Sequence, residues 1–119
     1  MIQFQWDERK ARRNERIHGV SFAVAQSALE SRLGVEIGEQ FREGEWRTLV
    51  VAPFRDLLLL HITIAFYGRG EDEDGIAGDG EETEQDWTGE HGVIRIISAR
   101  KATTDEQSLY FEYRPQSMG

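Results

Sequence analysis

The sequence predicts an α+β domain in which two N-terminal helices and one C-terminal helix pack on an antiparallel sheet of three to four strands. Three observations carry this expectation. Apolar residues alternate or run together over strand-length stretches in the middle of the chain. Helix-capping residues stand at Asp7, at Ser21 and at Thr103 or Thr104. The 119 residues, 39% hydrophobic and 30% charged, suit one folded core and leave no room for a second. A single domain over 1–119 is therefore expected, with an acidic insertion at 68–92.

Each element follows from local chemistry. Ile2, Phe4 and Trp6 alternate with Gln3 and Gln5, the pattern of a short half-buried strand. Asp7 can accept the free first-turn N–H groups of a helix over residues 7–17. Arg9, Arg12, Arg13 and Arg16 recur at spacings of three and four, forming a basic stripe on that helix. Gly19 ends it, since glycine enters the left-handed conformation without steric cost. Ser21 caps a second helix with Phe22, Ala25 and Leu29 on one face.

Val35 and Ile37 begin an edge strand; Trp46–Phe54 forms a further strand, and Pro53 places its end near an edge or a bend. Leu57–Tyr67 is the strongest strand, nearly continuous in apolar character, and belongs at the centre of the sheet. Val93–Ile97 returns to strand. The C-terminal helix carries Leu109, Tyr110 and Tyr113.

The net charge of −8 is unevenly placed. Residues 71–91 hold ten acidic side chains and no Lys or Arg, while the other 98 residues hold 14 basic and 12 acidic groups, a net of +2. The body of the domain is thus slightly basic. No apolar run approaches the roughly 18 residues of a membrane-spanning helix, and the N-terminal residues lack a signal-peptide core, so no membrane association and a cytoplasmic location are expected. The chain has no cysteine, which excludes disulfides, thiolate metal sites and cysteine nucleophiles.

His18, His61 and His91 show no metal-ligand spacing. An EF-hand frame beginning at Asp79 fails because Glu84 occupies the position that needs glycine. No P-loop, GxGxxG or GxSxG is present. Neither a metal nor a cofactor is expected.

Three segments can carry chemistry. His18 ends the basic helix, where the helix dipole favours positive charge, so it can donate a proton or hold a phosphate; it can equally cap the last carbonyls. Glu45 and Arg47, two apart, share a face of any strand that includes them, as a reacting pair or as a plain ion pair. Arg95 interrupts a Val/Ile strand, and Arg100 and Lys101 follow at its end. Convergent arginines there suit a phosphate or a structural carboxylate network.

These segments, in this order, resemble the BrnT family of bacterial ribonuclease toxins. The matching pieces are Phe4, Trp6, Asp7, Lys10 and Asn14, then His18-Gly19-Val20-Ser21-Phe22, Gly44-Glu45 with Arg47, and RIISARKA at 95–102 followed by Glu106 and Tyr110. The likeness runs from end to end except over residues 68–92. It differs from the family pattern at Ile17, where members carry lysine, at SRLGVEIG over 31–38, where they carry Asp-Pro, and in the acidic stretch, where they have a short hairpin turn.

The resemblance implies a RelE-like fold and metal-independent endoribonuclease activity that inhibits translation. It also implies a ribbon-helix-helix antitoxin of the BrnA type as partner. His18, Glu45, Arg47 and Arg100 are the catalytic residues it suggests, and Lys10, Arg13, Arg95 and Lys101 the RNA-binding ones. Cleavage through the 2′-OH needs a base, cations at the phosphorane oxygens and an acid at the 5′-oxygen. Glu45 fits the base, Arg47 and Arg100 the cations and His18 the acid, although acid and base can be exchanged and Arg95 can be structural. The alternative expectation is a noncatalytic chain on the same scaffold, such as a phage anti-defence protein. Its residues 71–91 would mimic a nucleic-acid backbone and engage a basic protein.

Overall fold

The computed structural model describes residues 2–55, 58–67 and 92–114. Strand β1 (Gln3–Gln5) leads into helix α1 (Glu8–His18). Asp7 Oδ1 accepts the N–H groups of Arg9 and Lys10 at 2.8 and 3.1 Å, and Gly19 closes the helix at φ 75°. Helix α2 (Phe22–Glu30) starts where Ser21 Oγ accepts the Val24 N–H at 3.1 Å. Then come β2 (Val35–Arg42), β3 (Glu45–Phe54), β4 (Leu58–Tyr67), β5 (Val93–Lys101) and α3 (Thr104–Tyr113). Thr103 caps α3 in a reciprocal box with Glu106.

The α+β architecture is as the sequence predicts, and the sheet is wider. It has five strands in the order β1-β5-β4-β3-β2, with β4 at the centre. All neighbours are antiparallel except β1, which adds to β5 in parallel, with Phe4 opposite Ile94. A three-residue strand carries too little pattern to specify a partner some ninety residues away, so the mixed character of the sheet is a tertiary outcome. The edge strand begun by Val35 and Ile37 runs on to Arg42, and β5 continues four residues beyond Ile97.

One face of the sheet packs under α1 and α2. Val50, Ala52, Leu60, Ile62, Ile64, Ile94, Ile96 and Ala99 meet Val20, Phe22, Ala25, Ala28 and Leu29 there. A smaller cluster on the other face joins Val35, Val51 and Ala102 to Tyr110 of α3. Helix α3 packs on β2 and β3, and the strands carry polar residues on the rest of that face.

The register between β4 and β5 shifts once: Thr63 stands opposite Ser98, but Ile64 stands opposite Ile96. Ile97 is therefore an extra residue, a β-bulge. Buried positions in β5 accordingly fall at Ile94, Ile96 and Ala99 instead of alternating strictly. Among the described residues, no helix is long and apolar enough to cross a membrane.

Candidate functional site

The polar face of the sheet holds two ion clusters at opposite ends of β5. The first is built on Arg47, a residue only 9% exposed within β3. Its Nε donates to Glu45 Oε2 at 3.2 Å, and its Nη2 donates to Glu43 Oε1 at 3.3 Å. Glu45 Oε2 also accepts from Arg95 Nη2, which reaches it from β5.

The pair joins β3 to β5 over the intervening strand. Arg95 stands opposite Ala65 of β4, and the small side chain of this buried alanine leaves room for the bridge. Burial pushes the Glu45 carboxyl up, but the hydrogen bond from Arg47 and the charge of Arg95 outweigh it and hold the group below its ordinary value. Glu45 is thus a carboxylate at neutral pH, the protonation state a base requires.

The second cluster ties the end of β5 to α3. Arg100 Nη1 and Nη2 donate to Glu106 Oε1 and Oε2, both at 2.9 Å, in a two-pronged pair. Glu106 Oε1 also accepts the N–H of Thr103 at 2.9 Å. His61 of β4 stands opposite Arg100, its Nε2 3.7 Å from Glu106 Oε2.

The Arg100 fork, opposed by burial and aided by the Thr103 N–H, lowers the Glu106 carboxyl to about 2. Burial depresses His61; the Glu106 charge opposes this and the Arg100 charge adds to it. Among the described residues no group of three or more His, Asp or Glu side chains is placed to hold a metal ion.

Helix α1 lies in the layer over the opposite face. Asn14, buried, fixes it to β5. Its Nδ2 donates to the carbonyls of Val20 and Ala99 at 2.9 and 2.7 Å, and its Oδ1 accepts the Ala99 N–H at 3.1 Å. Helical periodicity puts Ala11, Asn14 and His18 along one side of α1. The chain passes from Phe4, opposite Ile94, to Asn14 at Ala99, so α1 advances in the same sense as β5. His18, one turn past Asn14, stands exposed toward the Lys101 end of that strand.

The structure thus brings together Glu45, Arg47 and Arg95, and separately places Arg100 with His61 and Glu106. It puts His18, Lys10 and Arg13 in the helical layer, all three exposed, and Lys101 at the exposed end of β5 opposite Leu60. By strand rise, Arg95 and Arg100 are about 15 Å apart along β5.

The bulge at Ile97 is what gives these two arginines a common face, because an odd spacing of five would otherwise put them on opposite ones. His61 and Ala65 were not singled out by motif, and Asn14 was singled out only as a matching piece, without a role. A histidine inside the apolar run LLLHITI is the sequence signal for the first; the other two act through partners remote in sequence.

A mixed five-stranded sheet, with two helices on one face and a polar, arginine-bearing surface beside a third helix on the other, defines the class of fold. No family model matches the chain, and no curated protein matches it. Among solved structures, it superposes on the ribonuclease toxin BrnT of Brucella abortus with a TM-score of 0.51. The match covers 87% of this chain and 100% of the other at 18% identity. The chain has a BrnT-like fold.

Proposed function

We propose that this protein is a BrnT-like toxin of a type II toxin-antitoxin system, a metal-independent endoribonuclease that acts in the cytoplasm and inhibits translation. The observation that carries the reading is the fold shared with the ribonuclease toxin BrnT over that chain's full length. Arginines on the open face of the sheet support it, because guanidinium groups that now grip carboxylates can grip phosphates in the same two-pronged way. A ribbon-helix-helix antitoxin of the BrnA type is the proposed partner.

In this reading Glu45 takes the proton of the attacking 2′-OH, and Arg47 and Arg100 stabilise charge on the phosphorane oxygens. His18 protonates the leaving 5′-oxygen, and the two proton-transfer roles can be exchanged. Lys10, Arg13, Arg95 and Lys101 bind RNA, with Arg95 also holding Glu45. His18 lies toward the other end of β5 from Glu45 and over the opposite face of the sheet, so it can protonate the leaving oxygen only if the end of α1 moves to the Glu45 face.

The decisive experiment is induced expression in bacteria, wild type beside His18→Ala, with total RNA examined after induction. Growth arrest with cleaved RNA that is relieved by the neighbouring antitoxin gene is the expected result. Arrest that survives in both His18→Ala and Arg100→Ala defeats the site assignment while leaving the toxin.

The ten carboxylates between 71 and 91 favour a second reading, although the segment lies outside the described residues. In it the chain is a noncatalytic scaffold whose acidic stretch mimics a nucleic-acid backbone and inhibits a basic, nucleic-acid-binding protein. Unimpaired growth and intact RNA, with folded and abundant protein, would select this reading. So would capture of a basic partner with an affinity that falls steeply with salt.

A further inference from the structure

Of the arginines on the outward face of α1, the site just described uses Arg13 alone. At 100° per residue, Arg9, Arg12, Arg13 and Arg16 fall within an arc of about 100° on the side opposite Ala11 and Asn14. All four are exposed. Among the described residues none of the four guanidinium groups has a hydrogen-bond or ion-pair partner, whereas Arg47, Arg95 and Arg100 each hold a carboxylate.

The nearby carboxylates do not quench the stripe, and Glu15, exposed on the same helix, makes no ion pair with any of the four among the described residues. Asp7 is spent on the N-terminal N–H groups, and Glu8 accepts the indole N–H of Trp6 at 3.1 Å. Four like charges on three successive turns repel one another, so this face gains most from a repeating anion. Its cations are arginines, whose planar forks match phosphate oxygens, which favours a phosphodiester backbone over a run of carboxylates.

We infer that the Arg9–Arg12–Arg13–Arg16 face of α1 is a sequence-independent track for the RNA backbone. The substrate is then an RNA chain long enough to occupy this track as well as the sheet face. The inference rests on the RNA-cleaving reading and deepens it. Phosphates held on α1 cannot be those reacting at Glu45, because the sheet lies between them. A short oligonucleotide can fill one surface, and a longer one can fill both.

The test uses the full chain and 2′-O-methylated oligonucleotides, which cannot be cleaved through the 2′-position. One is unstructured and about 30 nucleotides long and the other about 6, and both are titrated over a range of salt concentrations. Wild type should bind the longer chain more tightly. Arg12→Ala/Arg16→Ala should lose about tenfold in that affinity, and its slope of log affinity against log salt should fall by about 1.4, near 0.7 for each phosphate contact removed. An unchanged melting temperature would show that the variant is folded.

Wild-type affinity and slope in the folded variant would overturn the inference. Equal affinity for polyglutamate of matched charge would overturn it too, assigning the face to an acidic protein. If growth arrest and RNA cleavage are observed but the slope does not change, only the role of α1 falls. A wild-type chain that neither binds these oligonucleotides nor arrests growth removes the ribonuclease reading as well.

Discussion

The arginines of α1 and those of the sheet carry the same charge and live under opposite constraints. In the strands, Arg47, Arg95 and Arg100 are buried or half-buried and each is matched to a glutamate. On α1, four arginines stand in water with no such partner among the described residues. A guanidinium leaving water must recover its lost hydration from a fixed anion, whereas one on an exposed helix face need not. A matched arginine therefore serves first to hold strands together, and an unmatched one is available to a partner. Net charge alone could not have separated the two sets.

The strongest way to break this contrast is to remove what joins the two layers. Asn14→Leu keeps a similar volume but leaves the Val20 and Ala99 carbonyls and the Ala99 N–H without their partner. We expect a loss of about 4 kcal/mol in urea denaturation, since each orphaned buried group costs about 1–3 kcal/mol. Next comes Arg47→Met, which takes a buried cation from between Glu43 and Glu45. It should cost about 3 kcal/mol and abolish growth arrest, while Arg12→Met stays within about 0.5 kcal/mol. Equal costs for the two would erase the distinction between strand and helix arginines.

A smaller effect reports on the Arg100 end. Glu106 is held at about 2 when folded, against an ordinary 4.5. Its depressed pKa contributes stability above pH 4.5, and that contribution is lost as pH falls from 4.5 toward 2. Wild type should exceed Glu106→Gln by about 2 kcal/mol at pH 7, after allowance for solvent at the partner arginine, with the gap closing across that window. Because glutamine can still accept the Thr103 N–H, a gap that persists at pH 2 would mean that something other than the charge of the glutamate sets the difference. The smallest effect is that of His18→Ala, expected within about 0.5 kcal/mol of wild type in stability because the side chain is exposed. A larger loss would make His18 a structural cap and remove the case for proton transfer.

What the sequence made legible was mostly local. Asp7, Ser21 and Thr103 cap helices as their side-chain chemistry requires, and the apolar run ending at Tyr67 is the central strand. Glu45 and Arg47 share a face because a two-residue spacing within one strand fixes it. The partners of Arg95 and Arg100 were not legible. The first reaches Glu45 across an intervening strand, and the second depends on how α3 docks after Ala102. His61 was visible only as an oddity in an apolar run, since nothing in its neighbours names Glu106. The parallel pairing of β1 was equally out of reach, being set by the return of β5 and not by three residues of alternation.

The bulge at Ile97 gives β5 something like a reading frame. Val93 to Ile96 are read in one phase and Ser98 to Lys101 in the other, and the meaning of each side chain depends on which side of that single residue it lies. A chain lacking Ile97 would keep all its charged residues and lose just one hydrophobic side chain. Because the residue removed is the bulge itself, Ser98 would follow Ile96 in strict alternation, and Ala99, Arg100 and the Asn14 clasp would keep the faces and partners they have now. An alignment of relatives would count that deletion as a one-position gap. In the folded protein it would straighten the strand without changing which face each remaining side chain serves, so β5 has one place where its length can change without a frameshift.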